Sequence, residues 1–246
     1  MSELTISDVS LKMGGIQILD RLSLTVRAGE FVSILGPSGC GKSTLFRLLT
    51  NEISTDRGSI LLDGKKPRNA FAFMPQRDAL LPWRRIIDNI TLGLEVQGMG
   101  RAEARSISVP MLSEFGLSGF EKHYPAQLSG GMRQRAALLR TVIQGRPIQL
   151  LDEPFGALDA LTRARLQKWL EKRWRNAGWT TLLVTHDVRE AVALSDRIYI
   201  LSPRPARVIA EIEVSAPRPR LGRPLPQSAH DIEGHILDLL LNHSGD

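Results

Sequence analysis

The sequence predicts an α/β protein with a largely parallel sheet covered on both faces and a helical lobe inserted between two sets of strands. Three observations carry this. Short apolar runs rich in β-formers recur along the chain and alternate with helix-compatible stretches, the pattern of parallel strands joined by crossover helices. The first such run ends in a glycine-rich turn that leads straight into an apolar helix. Residues 77–147 break the alternation, with few β-branched runs and helical stretches interrupted at Gly98, Gly100, Pro110, Gly116 and Pro125. A chain of 246 residues, 42% hydrophobic and 24% charged, is long enough to bury such a core, and its composition excludes a disordered, collagenous or low-complexity chain.

Along the chain, Phe31-Val32-Ser33-Ile34-Leu35 reads as a buried strand and Lys42 to Thr50, with Leu45, Phe46, Leu48 and Leu49, as a buried helix. Ser59 to Leu62, ended by Asp63-Gly64, and Ala70 to Met74, ended by Pro75, read as strands. After the helical lobe, strands resume at Ile148 to Leu151, Thr180 to Thr185 and Arg197 to Leu201, separated by helices at about 160–177 and 188–194. Leu166, Trp169, Leu170 and Trp174 recur at i, i+3, i+4 and i+8, a core-packing stripe. A leucine-bearing helix at about 231–242 follows a proline-rich connection.

The single cysteine, Cys40, excludes an internal disulfide framework and a cysteine-only metal cluster, and it suits a reducing compartment. No signal peptide is evident at the amino terminus, and no apolar run approaches the roughly 20 residues that span a bilayer. The net charge is +6, but the basic residues are scattered. Their densest run, Arg204, Arg207, Arg218, Arg220 and Arg223, lies among prolines in a loop and short-strand region, and the expectation is a generally basic surface rather than a nucleic-acid site.

Three segments carry chemistry. Gly36-Pro37-Ser38-Gly39-Cys40-Gly41-Lys42-Ser43 matches the phosphate loop G-x-x-x-x-G-K-S/T, in which backbone N–H groups and a helix amino end close around phosphate oxygens. There Lys42 reaches the β/γ-phosphates and Ser43 ligates Mg²⁺. Asp152-Glu153 stands at the carboxyl end of a core strand, where open α/β sheets place ligands. Alone it reads as a strand-to-loop boundary; beside the phosphate loop it reads as a Mg²⁺ ligand, Asp152, and a water-orienting base, Glu153. Leu128-Ser129-Gly130-Gly131-Met132-Arg133-Gln134-Arg135 opens a helix, either as a plain N-cap with a glycine pair or as a second phosphate site.

These segments and Thr185-His186-Asp187, in this order and at compatible spacings, closely resemble the nucleotide-binding subunits of ABC transporters from about residue 4 to 215. The resemblance implies a P-loop NTPase core of residues 1–76 and 148–215 with an N-terminal antiparallel β subdomain, a helical subdomain of 77–147 and a tail of 216–246. It implies ATP bound by Gly36, Pro37, Ser38, Gly39, Cys40, Gly41, Lys42, Ser43 and Thr44, with Mg²⁺ held by Ser43, Gln76 and Asp152. Catalysis falls to Glu153, Gln76 and His186, the last a switch at the γ-phosphate. Leu128, Ser129, Gly130, Gly131 and Gln134 match the signature that acts in trans across a head-to-tail dimer, and Asp159 the loop that couples its two sites.

The run Met74-Pro75-Gln76-Arg77-Asp78-Ala79-Leu80-Leu81-Pro82-Trp83-Arg84 is similar to importers of the nitrate, sulfonate, taurine and thiamine-precursor group. The partners so implied are a second ATPase subunit, membrane permease subunits and, indirectly, a solute-binding protein, with the chain peripheral on the cytoplasmic face of the inner membrane and no nucleic acid. Leu80, Leu81 and Trp83 form an apolar edge for a permease helix or complete the lobe's own core. An ABC-type ATPase acting on nucleic acid or the ribosome is the alternative; such proteins carry a coiled-coil insertion or two cassettes, and this chain has neither. Met13 stands where the family has an aromatic on adenine, which implies weaker or less adenine-selective binding. Gln149, polar within an apolar strand, requires a hydrogen-bond partner if buried. Alkylation of Cys40 is expected to block ATP binding.

Overall fold

A computed structural model describes residues 3–222 and 224–243; of the basic run, Arg223 lies outside the described residues. The chain opens with a hairpin, β1 (Leu4–Met13) and β2 (Ile16–Val26), turned at Gly14-Gly15. Both glycines have positive φ (57° and 82°), as a tight two-residue hairpin turn demands. The central strand β3 (Phe31–Leu35) and the helix α1 (Lys42–Leu49) follow, then β4 (Arg57–Leu62) and β5 (Phe71–Met74). Three helices, α2 (Ile86–Val96), α3 (Arg101–Leu112) and α4 (Gly130–Val142), fill the interval before β6 (Ile148–Asp152). The chain then runs α5 (Ala160–Ala177), β7 (Thr180–Val184), α6 (Val188–Leu194), β8 (Arg197–Leu201), β9 (Val208–Glu213) and α7 (Gln227–His243).

The strands form two sheets. One is antiparallel, in the order β2-β1-β4; the other runs β5-β6-β7-β3-β8-β9, parallel except for β9. No strand before Phe31 is evident residue by residue in the sequence, although Leu4, Ile6, Val9, Leu11 and Ile18, Leu22, Leu24, Val26 are all buried on these two strands. Bulges around Asp8 and Arg21, both at positive φ, break the strict alternation that marks a strand in sequence.

Successive residues of the large sheet face opposite layers. Val32 and Ile34 of β3, Leu150 of β6 and Leu182 of β7 join α1 and the antiparallel sheet in one core. Phe31, Leu151 and Leu183 face the other way, into a core shared with α2, α4 and α5. There Leu166, Leu170 and Trp174 are buried as the periodicity predicts, whereas Trp169 is half-buried and packs edge-on against Phe115 at 4.7 Å between ring centres. On that same side, beyond β3, Ile198 and Ile200 of β8 pack with α6 and α7.

Of the basic run's described residues, Arg204 and Arg207 are exposed while Arg218 and Arg220 are turned inward. Arg220 is buried and donates to the carbonyls of Val192, Ser195, Val214 and Ala216, and Arg218 pairs with Glu171 (3.0 Å) and Asp196 (2.8 Å) under the Trp174 ring. Arg207 pairs with Asp20. These arginines tie the chain after β8 to the sheet. No helix among the described residues is long and apolar enough to cross a membrane.

Candidate functional site

Four parallel strands end on one rim. Met74 of β5 pairs with Leu151 of β6, Asp152 with Val184 of β7, and Val184 with Ile34 of β3, so the residues just beyond each strand converge. These residues are Gln76, Glu153, His186 and the loop from Gly36 to Gly41. A cleft of about 200 Å³ opens there, lined by Ser38, Lys42, Ser43, Gln76, Glu153 and Arg204 among others. A larger open concavity, about 880 Å³, lies over the antiparallel sheet beside Lys12 and Asp56 and holds none of the motif residues.

The loop is shaped to hold an anion. Gly41 is the N-cap of α1 at φ 129°, makes no side-chain cap, and leaves the first N–H groups of the helix without a side-chain acceptor. That φ is strained for any residue with a side chain, and a Cβ there would also crowd Leu19 Cδ2 at 3.0 Å, so the position favours glycine. The Lys42 ammonium is folded back on its own loop, donating to the carbonyls of Gly36 (2.7 Å) and Pro37 (2.8 Å). Cys40 is buried 3.9 Å from Lys42 Nζ, and burial pushes its thiol up against the pull of Lys42. The thiolate needed for alkylation is therefore suppressed, which makes Cys40 a poorer target than its place in the loop implies.

Asp152 and Glu153 face different tasks. Asp152 is 2% exposed, and its Oδ1 has no hydrogen-bond partner. Burial pushes its carboxyl up, while a hydrogen bond from Ser43 and the charge of Lys42 pull the other way. A buried carboxylate oxygen lacking a donor, beside a hydroxyl, is a hard-oxygen set that fits a small divalent cation such as Mg²⁺. Glu153 occupies the left-handed region at φ 49°, rare for a residue with a Cβ. Three hydrogen bonds hold it there: its own N–H donates to Val184 O (2.9 Å), and its carbonyl accepts from Gln134 Nε2 (2.8 Å) and from Gly156 N–H (3.3 Å). Its Oε2 lies 3.4 Å from Nδ1 of the exposed His186, and Gln76 is exposed beside the same cleft.

The signature segment lies apart. None of Leu128, Ser129, Gly130, Gly131 and Gln134 lines the cleft of their own chain. Ser129 caps α4, accepting from Met132 N–H at 3.3 Å, and Leu128 is buried in the core. Gln134 is buried as well, its amide donating to Glu153 O and accepting from Ala157 N–H (3.1 Å), so its side chain faces inward in the single chain. Asp159 caps α5 through Thr162 N–H (3.0 Å), a hydrogen bond that holds its carboxyl below the usual range.

Several side-chain contacts are not legible in the sequence, those of Arg133 and Arg140 because their partners are distant along the chain. Arg133 pairs with Asp78 at 2.9 Å, and Arg140 donates to the carbonyls of Asp78 and Ala79 at 2.7 Å each, clamping the Gln76 segment to α4. The buried Asn89 bonds Leu81 through both backbone groups and donates to the carbonyls of Arg84 and Arg85. With residues 81–85 so held, Leu80 is buried in the core, Leu81 is half-buried, and Trp83 stands 72% exposed. Met13 is 39% exposed at the hairpin end, and Gln149 is buried, its amide donating to Arg146 O (2.8 Å) while Oε1 has no partner.

Comparison with known proteins gives a concordant result. The family model described as ABC transporter matches residues 19–156. The chain is 45% identical over 212 residues to the formylaminopyrimidine import ATP-binding protein ThiZ of Halalkalibacterium halodurans, covering 86% of this chain and 84% of the relative. It is 41% identical over 218 residues to the taurine import ATP-binding protein TauB of Escherichia coli O157:H7, covering 87% and 86%. It is also 41% identical over 246 residues to the aliphatic sulfonates import ATP-binding protein SsuB of Cupriavidus pinatubonensis, covering 99% and 79%. Among solved structures, the ATP-binding cassette MJ0796 in a dimeric post-hydrolysis state bound to ADP and Pi superposes with a TM-score of 0.78 at 30% identity, covering 86% of this chain and 98% of that one.

Proposed function

The chain belongs to the ABC transporter family as one of its ATPases, and we propose that it powers an importer of small polar solutes of the nitrate, sulfonate, taurine or thiamine-precursor type. The importer reading is supported by relatives named for import of a formylaminopyrimidine, taurine and aliphatic sulfonates. The single observation that carries the catalytic reading is the convergence of phosphate loop, buried Asp152, strained Glu153 and His186 on one rim.

In this reading, the loop from Gly36 to Thr44 binds ATP, with Lys42 exchanging its loop carbonyls for phosphate oxygens. Ser43, Asp152 and Gln76 hold Mg²⁺, which supplies charge neutralisation at the β/γ-phosphates when bound. Glu153 orients and deprotonates the attacking water, and His186 donates to the γ-phosphate. Ser129, Gly130 and Gly131, exposed or half-buried at the start of α4, close on the ATP of a second copy in a head-to-tail dimer, with Asp159 beside them. Trp83 docks a permease subunit, which places the chain on the cytoplasmic face of the membrane, served indirectly by a solute-binding protein.

Replacing Glu153 by Gln keeps the shape of the site and removes the base. The expected result is retained ATP binding, a dimer that accumulates with ATP, and turnover lower by roughly 10²- to 10⁴-fold. Phosphate release, filter binding and size-exclusion chromatography read the three quantities; near-normal turnover overturns the role of Glu153.

A further inference from the structure

Arg204 is a second cation on the phosphate loop. It sits in the turn between β8 and β9, far from every motif that the sequence singled out, yet its guanidinium lines the same cleft as Lys42 and Ser43 and donates from Nη2 to the carbonyl of Gly39. The fold brings it there directly. Strand β8 runs beside β3, with Leu35 paired to Ile200, so the turn leaving β8 emerges next to the loop leaving β3.

The turn is a fixed platform. Ala206 N–H donates to Ile18 O (2.8 Å) and Asp20 N–H to Ala206 O (3.1 Å), which pins it to β2, while Ser202 closes it through Arg207 at 2.9 and 3.0 Å. Its two arginines differ in what they face. Arg207 is paired with Asp20, whereas Arg204 is exposed and has no carboxylate partner among the described residues. Like Lys42, it donates to a neutral carbonyl of the loop, a weaker partner for a full positive charge than a phosphate oxygen is.

We propose that Arg204 is a nucleotide-binding residue, its guanidinium passing from the Gly39 carbonyl to a phosphate oxygen of bound ATP as a second cation beside Lys42. The proposal rests on the reading of this cleft as the ATP site. Guanidinium is suited to this by its planar fork of donors, which grips phosphate bidentately. It also bears on the position of Met13: with no aromatic ring offered to the base at the hairpin end, phosphate contacts carry a larger share of the affinity.

The test is ATP affinity, measured by calorimetry over a range of salt concentrations, for the wild type, Arg204→Gln, Arg204→Lys and Lys42→Ala. Arg204→Gln is expected to weaken ATP binding about 10- to 100-fold, the loss of one charge-assisted hydrogen bond. Its affinity is expected to depend less steeply on salt than that of the wild type, and Arg204→Lys to recover part of both. Melting temperatures of the nucleotide-free proteins are expected to agree. An Arg204→Gln protein that binds ATP within twofold of the wild type overturns the proposal, and so does weakened binding with an unchanged salt slope, which marks a purely structural tie to Gly39. If ATP binding is lost in Lys42→Ala but untouched in Arg204→Gln, the reading of the cleft stands and the proposal alone falls. A wild type that does not bind ATP overturns both.

Discussion

Glu190 illustrates how a residue in the site's foundation is held at a cost. It is buried at the first turn of α6, where its carboxylate accepts from Gln167 Nε2 at 2.8 Å, and its N–H bonds the capping Asp187. Burial pushes its carboxyl up, with the nearby charge of Asp187 adding to the effect, while hydrogen bonds from Thr185 and Gln167 and the charge of Arg163 oppose it. The folded chain therefore holds this proton more tightly than the unfolded chain, whose value is 4.5, so stability is lost as pH rises from there through the folded value. Glu190→Gln keeps the acceptor and removes the charge. Its nucleotide-free melting temperature at pH 7 is expected to exceed that of the wild type by a few degrees, with the gap closing as pH falls to about 4.5; a lower melting temperature at pH 7 would contradict the assignment. Asp152, whose carboxyl burial also raises, carries a cost of the same kind at the centre of the site.

Helix α4 is the element that joins the signature to the catalytic rim. Its first turn carries Ser129 as cap, its second Gln134, bonded to Glu153 O and Ala157 N–H, and its later turns Arg140, bonded to the Gln76 segment. A movement of α4 therefore reaches the backbone of Glu153, which is already in a strained conformation, and the loop leading to Asp159. Gln134→Ala leaves Glu153 O and Ala157 N–H without their side-chain partner. The expected loss is about 1–3 kcal/mol of stability in chemical denaturation, together with a fall in turnover larger than the change in ATP affinity. Equal effects on the two would reduce Gln134 to a packing residue.

At the scale of the whole molecule, the nucleotide cleft and the exposed Trp83 are separate surfaces linked through Gln76, Asp78 and α4. Exposure of a tryptophan on a segment held by Asn89 and Arg140 suits a preorganised docking anchor rather than a core residue left out. Of the two sequence readings of this edge, completion of the lobe's core holds for Leu80 and not for Trp83, which stays exposed. Trp83→Ala is expected to leave ATP hydrolysis by the isolated chain within twofold of normal and to weaken copurification with a polytopic membrane partner roughly 10- to 100-fold. Recovery of ribosomes or DNA in place of that partner would favour the alternative of an ATPase working on nucleic acid.

The α/β class, the strand-loop-helix around Lys42, the helices at α5 and α6 and the carboxylates at the end of β6 are legible in the primary structure, because each is written in residues adjacent along the chain. The bulged hairpin of β1 and β2 escaped residue-level reading for the same reason: its irregular register hides a local period, and only the pairing of Leu4 with Val26 and with Leu62 makes it a sheet. Tertiary structure alone decided the strand order that gathers Gln76, Glu153 and His186 on one rim, the inward turn of Gln134, the burial of Arg220 and the arrival of Arg204 at Gly39. The inward turn of Gln134 and the arrival of Arg204 depend on hydrogen bonds between residues 19 and 165 positions apart, and a charge or an amide in the sequence carries no record of which distant carbonyl it will meet.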